Sequence, residues 1–147
     1  MSTESRYGHP APKPALRVSS VTVGAPDPRE LAHFYARLLA WEVSAEDPPR
    51  EGAPERAGWA QLRTPAGSHE PTLNFEFEPD YVTPTWPSAA GRQQIMEHLD
   101  IAVADLESSV AWALEAGATL ADFQPQEDVR VMLDPAGHPF CLFLGPV

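Results

Sequence analysis

Residues 95–120, IMEHLDIAVADLESSVAWALEAGATL, decide the fold because they contain a strand signal followed directly by a helix signal. The strand signal is an alternation in which Leu99, Ile101 and Val103 are separated by single polar or small residues. Successive side chains of a strand point to opposite faces, so these three apolar side chains share one face. His98 and Asp100 are therefore predicted to lie on the other face.

The helix signal begins at Asp105, whose carboxylate can accept hydrogen bonds from the first free backbone N–H groups. Gly117 marks the end of the helix, because the residue after a helix often adopts positive φ, which glycine takes without strain. The apolar residues of one helix face are Leu106, Val110, Ala113 and Leu114. This face and the apolar strand face are predicted to bury each other.

The composition limits the functional classes. A chain of 147 residues is long enough for one domain with a sizeable core. The formal net charge of −11 argues against a nucleic-acid partner, because phosphates would be repelled. No apolar run is long enough to span a membrane, and the N-terminus lacks a hydrophobic signal core. The single cysteine excludes an intrachain disulfide, so we expect a cytoplasmic protein.

The strand and helix signals occur a second time, earlier in the chain. Val21 and Val23 alternate with polar neighbours, and Asp27-Pro28 place an N-cap residue before a proline at the first helical position. The apolar stripe of this helix consists of Leu31, Phe34, Tyr35, Leu38 and Leu39. Both halves of the chain therefore share the order of strand, Asp cap and apolar helix.

Shorter alternating segments complete both halves. They are predicted at 41–45, 59–64 and 72–78 after the first helix, and at 129–133 and 140–144 after the second. The turn TPAG at 64–67 corresponds to DPAG at 134–137, and each turn precedes a final strand. Two copies of one small unit indicate an α+β fold of two βαβββ modules, with a curved mixed sheet and the helices outside.

The domain boundaries follow from composition. Residues 1–15 are rich in proline and show no period, so they are predicted to be a flexible tail. The rest, 16–147, is predicted to be a single domain with modules 16–79 and 95–147. The connection between them, 80–94, is rich in proline, and long loops are often functional or linking segments.

The duplicated plan resembles the vicinal oxygen chelate superfamily, which contains glyoxalase I, bleomycin-resistance proteins and extradiol dioxygenases. The resemblance is carried by APDPRELAHFYARLLAWEV at 25–43, PTWP at 84–87, HLDIAVADLESSVAWALEAGA at 98–118 and DPAGHPFCLFL at 134–144. Within this superfamily the chain is most similar to small glyoxalase-like domain proteins, from residue 16 to residue 147. The resemblance implies the fold more strongly than an activity, since one fold hosts many functions.

The resemblance also implies a metal site built from the first and last strand of each module. The corresponding positions are Ser20, Glu76, His98 and Cys141. Histidine and acidic side chains are ligands for divalent metals, and a cysteine thiolate suits zinc. Serine is a poor ligand, so a set of His98, Glu76 and Cys141 is incomplete and leaves the metal unidentified. Glu76 is also the candidate catalytic residue, as a general base.

These side chains have structural alternatives. His98 can hydrogen-bond Glu76 or Asp100 in a polar groove without a metal. Cys141, between two apolar residues, can be a buried thiol with no chemical role. His138 follows the DPAG turn and is predicted to brace it.

Alternation predicts which side chains face the groove of the sheet. In VRVML at 129–133, the first, third and fifth residues are assigned to the core, which leaves Arg130 and Met132 toward the groove. Trp86, in a proline-rich setting, is predicted to be part of a flap over the groove. The full set of predicted ligand-binding residues is Arg63, Asn74, Trp86, Asp100, Arg130 and Met132. A groove of this kind suits a small polar or aromatic molecule.

Three functions stay open at this point. One is a metal-dependent lyase, isomerase or dioxygenase that uses His98, Glu76 and Cys141. The second is a non-catalytic drug-binding protein of the bleomycin-resistance kind, whose acidic surface attracts cationic compounds. The third is a non-catalytic interaction domain. The resemblance further implies a homodimer, a small-molecule ligand, and no cofactor other than a divalent metal.

Overall fold

A computed structural model describes residues 12–147 of the chain. The part of the predicted tail formed by residues 1–11 lies outside the described residues, and residues 12–19 form neither helix nor strand. In chain order the elements are β1 (Ser20–Ala25), α1 (Pro28–Leu39), β2 (Glu42–Asp47), β3 (Trp59–Arg63), β4 (Thr72–Phe77), β5 (Asp100–Val103), α2 (Leu106–Ala116), β6 (Thr119–Leu120), β7 (Val129–Leu133) and β8 (Pro139–Leu144). The connection from β4 to β5 contains no helix or strand.

The strands form two sheets of the same topology. The first sheet has the order β1-β4-β3-β2 and the second has the order β5-β8-β7-β6. In each sheet the strand that comes first in the chain pairs in parallel with the strand that comes fourth, β1 with β4 and β5 with β8. The other pairs are antiparallel. This repetition confirms the predicted α+β fold of two βαβββ modules. Within residues 12–147, no strand of one sheet pairs with a strand of the other.

Both predicted helix caps are confirmed. The Asp27 carboxylate accepts a hydrogen bond of 3.2 Å from the backbone N–H of Glu30 at the start of α1. The Asp105 carboxylate accepts one of 2.8 Å from the N–H of Ser108 at the start of α2. Gly117 ends α2 with φ of 120°, a conformation that disfavours residues with a side chain. The described helices include none that is long and apolar enough to cross a membrane.

One hydrophobic core joins the two modules. Tyr35 of α1 stacks on Phe75 of β4 with ring centroids 5.6 Å apart, and meets Phe140 of β8 edge-on at 6.0 Å. The same core includes Ala113 and Ala116 of α2. The apolar side of each sheet therefore packs into this shared core. The opposite, more polar side of each sheet points away from the core.

Two predictions about side-chain direction are wrong. In β7, Met132 is completely buried in the shared core, while Val129, Val131 and Leu133 pack on the other side of the sheet. Arg130 lies in register with Leu142, a core residue, and its Nη1 donates to backbone carbonyls, including that of Glu127 at 2.9 Å. Neither Arg130 nor Met132 therefore faces the predicted groove.

The second wrong direction concerns one residue of α2, since Leu106, Val110 and Ala113 pack in or against the core as predicted. Leu114 is 46% exposed, whereas the small residues Ala113 and Ala116 are buried against the core. Alanine at these positions allows α2 to approach α1 closely. The guanidinium of Arg37 on α1 donates to the Ala116 carbonyl at 2.9 Å, and Trp112 Nε1 donates to the Leu38 carbonyl at 3.0 Å. The helix–helix contact thus determines which face of α2 is buried.

Candidate functional site

Three potential metal ligands meet on the side of the second sheet that points away from the core. His98 precedes β5, Asp100 begins β5, and Cys141 is the register partner of Asp100 on the parallel strand β8. The neighbouring residues Ile101 and Leu142 pack into the core. Strand alternation therefore places the imidazole, the carboxylate and the thiol together on the opposite side.

The donor atoms of this group are close to one another. His98 Nε2 lies 3.0 Å from Cys141 Sγ and 3.4 Å from Asp100 Oδ1. One ligand atom from each of the three residues lies within 4.8 Å of the other two. Cys141 is buried, whereas the side chains of His98 and Asp100 are 35% and 67% exposed. The group therefore combines one buried sulfur with two donors that solvent reaches.

The geometry does not suit a cysteine nucleophile. Burial raises the pKa of the Cys141 thiol, and the negative charge of Asp100 raises it further. A reactive cysteine instead needs a lowered pKa, because the thiolate is the nucleophile. In addition, the same nitrogen of His98 faces both partners, whereas in a catalytic triad the acid binds the second ring nitrogen.

The donor set fits a zinc-type ion better. Zinc binds His nitrogen at about 2.0–2.1 Å, carboxylate oxygen at about 2.0–2.2 Å and cysteine sulfur at about 2.3 Å. Tetrahedral geometry then places nitrogen about 3.4 Å from oxygen and about 3.6 Å from sulfur. The observed separations of 3.4 Å and 3.0 Å would require only a small movement of His98 or Cys141. Three protein ligands leave a fourth position open, as in catalytic zinc sites.

The metal set expected from the resemblance does not assemble among the described residues. The ligand atoms of His98, Glu76 and Cys141 do not form a group within 4.8 Å, and Asp100 takes the place expected for Glu76. Glu76 is exposed on β4, and Ser20 begins β1, so both belong to the first sheet. Sequence reasoning thus named His98 and Cys141 for this group, whereas the structure places Asp100 and not Glu76 beside them.

Two other predicted ligand-binding residues also lie on the first sheet. Asn74 of β4 is half-buried, and its Oδ1 accepts a hydrogen bond of 2.8 Å from Gln61 Nε2. Arg63 is exposed at the end of β3. The structure does not bring these side chains into the three-residue group, and their contact with a ligand stays a prediction.

Trp86 lies over the same side of the second sheet as Cys141. Its side chain packs against a small apolar cluster formed by Ala121, Val131 and Cys141. The indole Nε1 donates a hydrogen bond of 3.1 Å to the carbonyl of Phe123. The proline-rich connection therefore covers part of the face that carries the candidate ligands, and a contact between Trp86 and a ligand stays a prediction.

A cleft of about 610 Å³ begins beside the three-residue group. It lies between the first sheet and β5, and its apolar walls include Val21, Leu73, Leu39 and Ile101. Asp100 is also one of the residues that line this cleft. The volume is in the range of small-molecule sites, which are mostly apolar with a few polar groups.

Asp134 and His138 form a second polar group, of which only His138 was singled out from the sequence. Asp134 and His138 are both buried and form an ion pair, with His138 Nδ1 2.9 Å from Asp134 Oδ2. Tyr35 Oη donates to the same carboxylate at 2.8 Å, and burial together with Asp134 raises the pKa of Tyr35. The expected role of His138 in bracing the turn is confirmed, because its backbone N–H also donates to Asp134 Oδ1. The Asp-Pro-Ala-Gly-His sequence is the signal that could have revealed the pair.

Glu97 belongs to the surroundings of this ion pair. Both of its carboxylate oxygens are buried and make no hydrogen bond within the described residues. Burial raises the pKa of Glu97, and Asp134 adds to this, while the charge of His138 opposes it. No sequence pattern singles out Glu97, because it lies in a connection without periodicity.

The match to a known family covers most of the chain. The family model of the glyoxalase-like domain matches residues 20–143, which include both described helices and all described strands except the last residue of β8. The chain belongs to this glyoxalase-like family. This match confirms the resemblance to the glyoxalase-like proteins of the vicinal oxygen chelate superfamily that was expected from the sequence. No curated protein matched the sequence.

Three solved structures illustrate the range of relatives. A glyoxalase family protein from Enterococcus faecalis is 20% identical, with a TM-score of 0.60, and the match covers 86% of this chain and 96% of that one. TnmS3, an antibiotic binding protein from Streptomyces sp. CB03234, is 16% identical, with a TM-score of 0.53 and coverage of 90% and 98%.

The third relative is the fosfomycin resistance protein FosX from Listeria monocytogenes, solved as a mutant with Mn(II) and 1S,2S-dihydroxypropylphosphonic acid. It is 12% identical, with a TM-score of 0.62 and coverage of 88% and 92%. At these identities the likeness shows the fold alone. Relatives of this fold thus include both a metal-containing protein and an antibiotic-binding protein.

Proposed function

We propose that this chain binds a small molecule in the cleft beside Asp100, with a zinc-type divalent ion held by His98, Asp100 and Cys141. The observation that carries the proposal is that Asp100 belongs to the three-residue group and also lines the cleft. An ion at this group would therefore lie at one end of a space large enough for a ligand.

Each of the three residues has a distinct part in holding the ion. Cys141 supplies a buried sulfur on a strand in the middle of the sheet, which gives the group a fixed position. His98 and Asp100 are two residues apart on one strand, so both side chains point to the same side. A bound zinc-type ion supplies a Lewis acid with one position open to an oxygen of the substrate.

The cleft favours a ligand with a polar oxygen end and an apolar body. The apolar walls formed by Val21, Leu73 and Ile101 can cover the apolar part, and the metal end can bind the oxygen. The reaction would be of the lyase or isomerase kind that the family resemblance implies, because a zinc-type ion has no redox activity and does not support dioxygenase chemistry. A catalytic role of Glu76 in this reaction stays a prediction, since Glu76 lies outside the group.

Non-catalytic drug binding is the alternative function. The observation that favours it is the absence of Glu76 from the metal group, which leaves the expected set incomplete. TnmS3, an antibiotic binding protein, shows that this fold can serve binding. In that case the cleft would bind its ligand without a metal, and the net charge of −11 would favour a cationic compound.

We also propose that the chain forms a homodimer. β1 and β5 are edge strands of their sheets, and an edge strand presents unpaired backbone groups that can pair with another chain. Size-exclusion chromatography with light scattering should give twice the chain mass of 16.0 kDa, and a monomer at all concentrations would contradict the dimer.

Cobalt(II) titration tests the metal site directly. Cys141 is the only cysteine, so a thiolate-to-cobalt charge-transfer absorption can arise from this residue alone. We expect the absorption in the wild type and its loss in Cys141→Ser. His98→Ala should weaken cobalt and zinc affinity at least about tenfold, because even the loss of a residue that supports a ligand costs about 10–100-fold.

Glu76→Gln is the matched control, since it removes an acid that the resemblance assigns to the metal but that lies outside the group. Its metal affinity should equal that of the wild type. Absence of the absorption in the wild type, or equal losses in Glu76→Gln and His98→Ala, would contradict the proposed site. A rise in melting temperature with cationic antibiotics in the presence of a chelator would instead favour the alternative function.

A further inference from the structure

The side chain of His138 joins the turn between β7 and β8 to β1 of the first module. His138 Nε2 lies 3.0 Å from the backbone carbonyl of Gly24 on β1, while its Nδ1 faces the Asp134 carboxylate. From the connection, Tyr81 Oη lies 3.3 Å from the same Nε2 and donates to the Ala136 carbonyl at 2.8 Å. The imidazole therefore links three segments that are distant in sequence.

The number of protons on the ring decides which of these contacts exist. Both ring nitrogens face acceptors, a carboxylate at Nδ1 and a carbonyl at Nε2. Imidazolium has two N–H donors and serves both acceptors, whereas neutral imidazole has one donor and one lone pair. In the neutral form one acceptor must lose its bond. The charged Asp134 carboxylate is the stronger acceptor, so Nδ1 keeps its proton and the Gly24 carbonyl loses its donor.

We propose that His138 is a proton-operated hydrogen-bond switch between the two modules. In the protonated state Nε2 donates to the Gly24 carbonyl and fastens the last turn of the second module to β1. In the neutral state Nε2 becomes an acceptor, and Tyr81 is within reach to donate to it. Tyr81 has one hydroxyl proton, so it then gives up its bond to the Ala136 carbonyl.

The charges around the ring favour the protonated state. Burial alone would lower the pKa of His138, but the hydrogen bond and charge of Asp134 raise it above its usual range, and Glu97 and the Gly24 carbonyl add to the rise. Tyr35 meets Asp134 from α1, and Tyr81 faces the ring from the connection. Burial, followed by the charges of Asp134 and Glu97, raises the pKa of Tyr81, so Tyr81 stays neutral during the switch.

The switch borders a cavity of about 390 Å³. Gly24, Tyr81, Glu97 and His138 all contribute to its wall, together with Glu78 and Asp80 of the connection. Release of the Gly24 carbonyl removes one of the contacts that join the turn to β1. The proton on His138 would therefore control how firmly the connection and the last hairpin close this cavity.

NMR titration of the full chain tests the switch. The ¹³Cε1 shift of His138 should report a midpoint above the usual value near 6.5. The carbonyl ¹³C shift of Gly24 should change with the same midpoint, because it gains or loses its donor. A midpoint at or below 6.5, or a Gly24 carbonyl shift that does not change through the titration, would overturn the proposal.

Tyr81→Phe separates the switch from a simple ion pair. The substitution removes one Tyr81 hydrogen bond from each state, the bond to the Ala136 carbonyl in the protonated state and the bond to Nε2 in the neutral state, and it leaves the Gly24 and Asp134 contacts in place. The half-buried Ala136 carbonyl can accept from water instead, whereas Nε2 of the buried imidazole loses its donor, so the His138 midpoint should rise by up to about half a unit. His33, exposed and paired with Glu46 at 3.1 Å, is the internal control, and its titration should not change. An unchanged His138 midpoint in Tyr81→Phe would overturn the role of Tyr81 in the switch.

Discussion

At the scale of single residues, the sequence predicted side chains whose role depends on near neighbours and missed those whose role depends on distant ones. Asp27 and Asp105 cap helices through residues three positions away, and His138 braces a turn four residues long. Tyr35, by contrast, donates a hydrogen bond to Asp134, which lies 99 positions away in the sequence. Alternation and capping rules carry no information about such a contact.

The buried pair of Asp134 and His138 leads to a prediction of pH-dependent stability. The pKa of His138 is raised in the folded chain, so its contribution to stability is fully present below about pH 6.5 and is lost as pH rises through the folded value. The loss amounts to about 1.4 kcal/mol for each unit by which the folded pKa exceeds the unfolded one. Urea unfolding of the wild type should therefore show a falling free energy above pH 6.5.

His138→Asn is the matched variant for this measurement. An asparagine amide can donate to Asp134 in place of Nδ1, but it does not titrate. The variant should be less stable than the wild type at pH 6 and should lose less stability on going to higher pH. Parallel curves for the two proteins would show that His138 does not contribute to the pH dependence.

At the scale of elements, the strand periods were predictable but the direction of β7 was not. Alternation states which residues share a side, and not which side is buried. In VRVML one side carries Met132 and the other carries Val131, so both sides are apolar enough for the core. Trp86 packs on the side of β7 that carries Val131, so this side is buried outside the main core.

The direction of β7 can be tested by two alanine substitutions. Met132 is completely buried, so Met132→Ala should lower the free energy of unfolding by about 2–5 kcal/mol. Arg130→Ala removes a neighbouring side chain that bonds exposed carbonyls, and it should cost less than about 1 kcal/mol. Urea unfolding measures both values. A cost for Met132→Ala of less than about 1 kcal/mol, no larger than that for Arg130→Ala, would mean that this side of β7 does not face the core.

The candidate metal group shows the same limit between local and long-range information. His98 and Asp100 could be placed on one side of a strand from their spacing alone, whereas Cys141 was assigned through the family resemblance. Whether Glu76 joins them depends on how the two sheets are arranged, and no local pattern records this arrangement. The structure keeps Glu76 on the first sheet, and the second sheet supplies its own acid.

At the scale of the whole molecule, the duplicated modules could have been two independent units or one. The rings of Phe34 and Tyr35 on α1 contact Phe140 on β8, and Tyr35 also stacks on Phe75 of its own module. The aromatic character of these residues predicted that they are buried. It did not predict which residues they pack against. A shared core makes the modules energetically dependent on one another.

The chain should therefore unfold as a single cooperative unit. With 5-fluorotryptophan, ¹⁹F NMR gives separate reporters in the first module at Trp59 and in the second at Trp112. Both signals should change at the same urea concentration. Phe140→Ala, which removes a completely buried ring of the second module, should cost about 3–5 kcal/mol and lower both midpoints together. If only the Trp112 midpoint falls, the first module is stable without the second, and the contacts of α1 with β8 do not couple them.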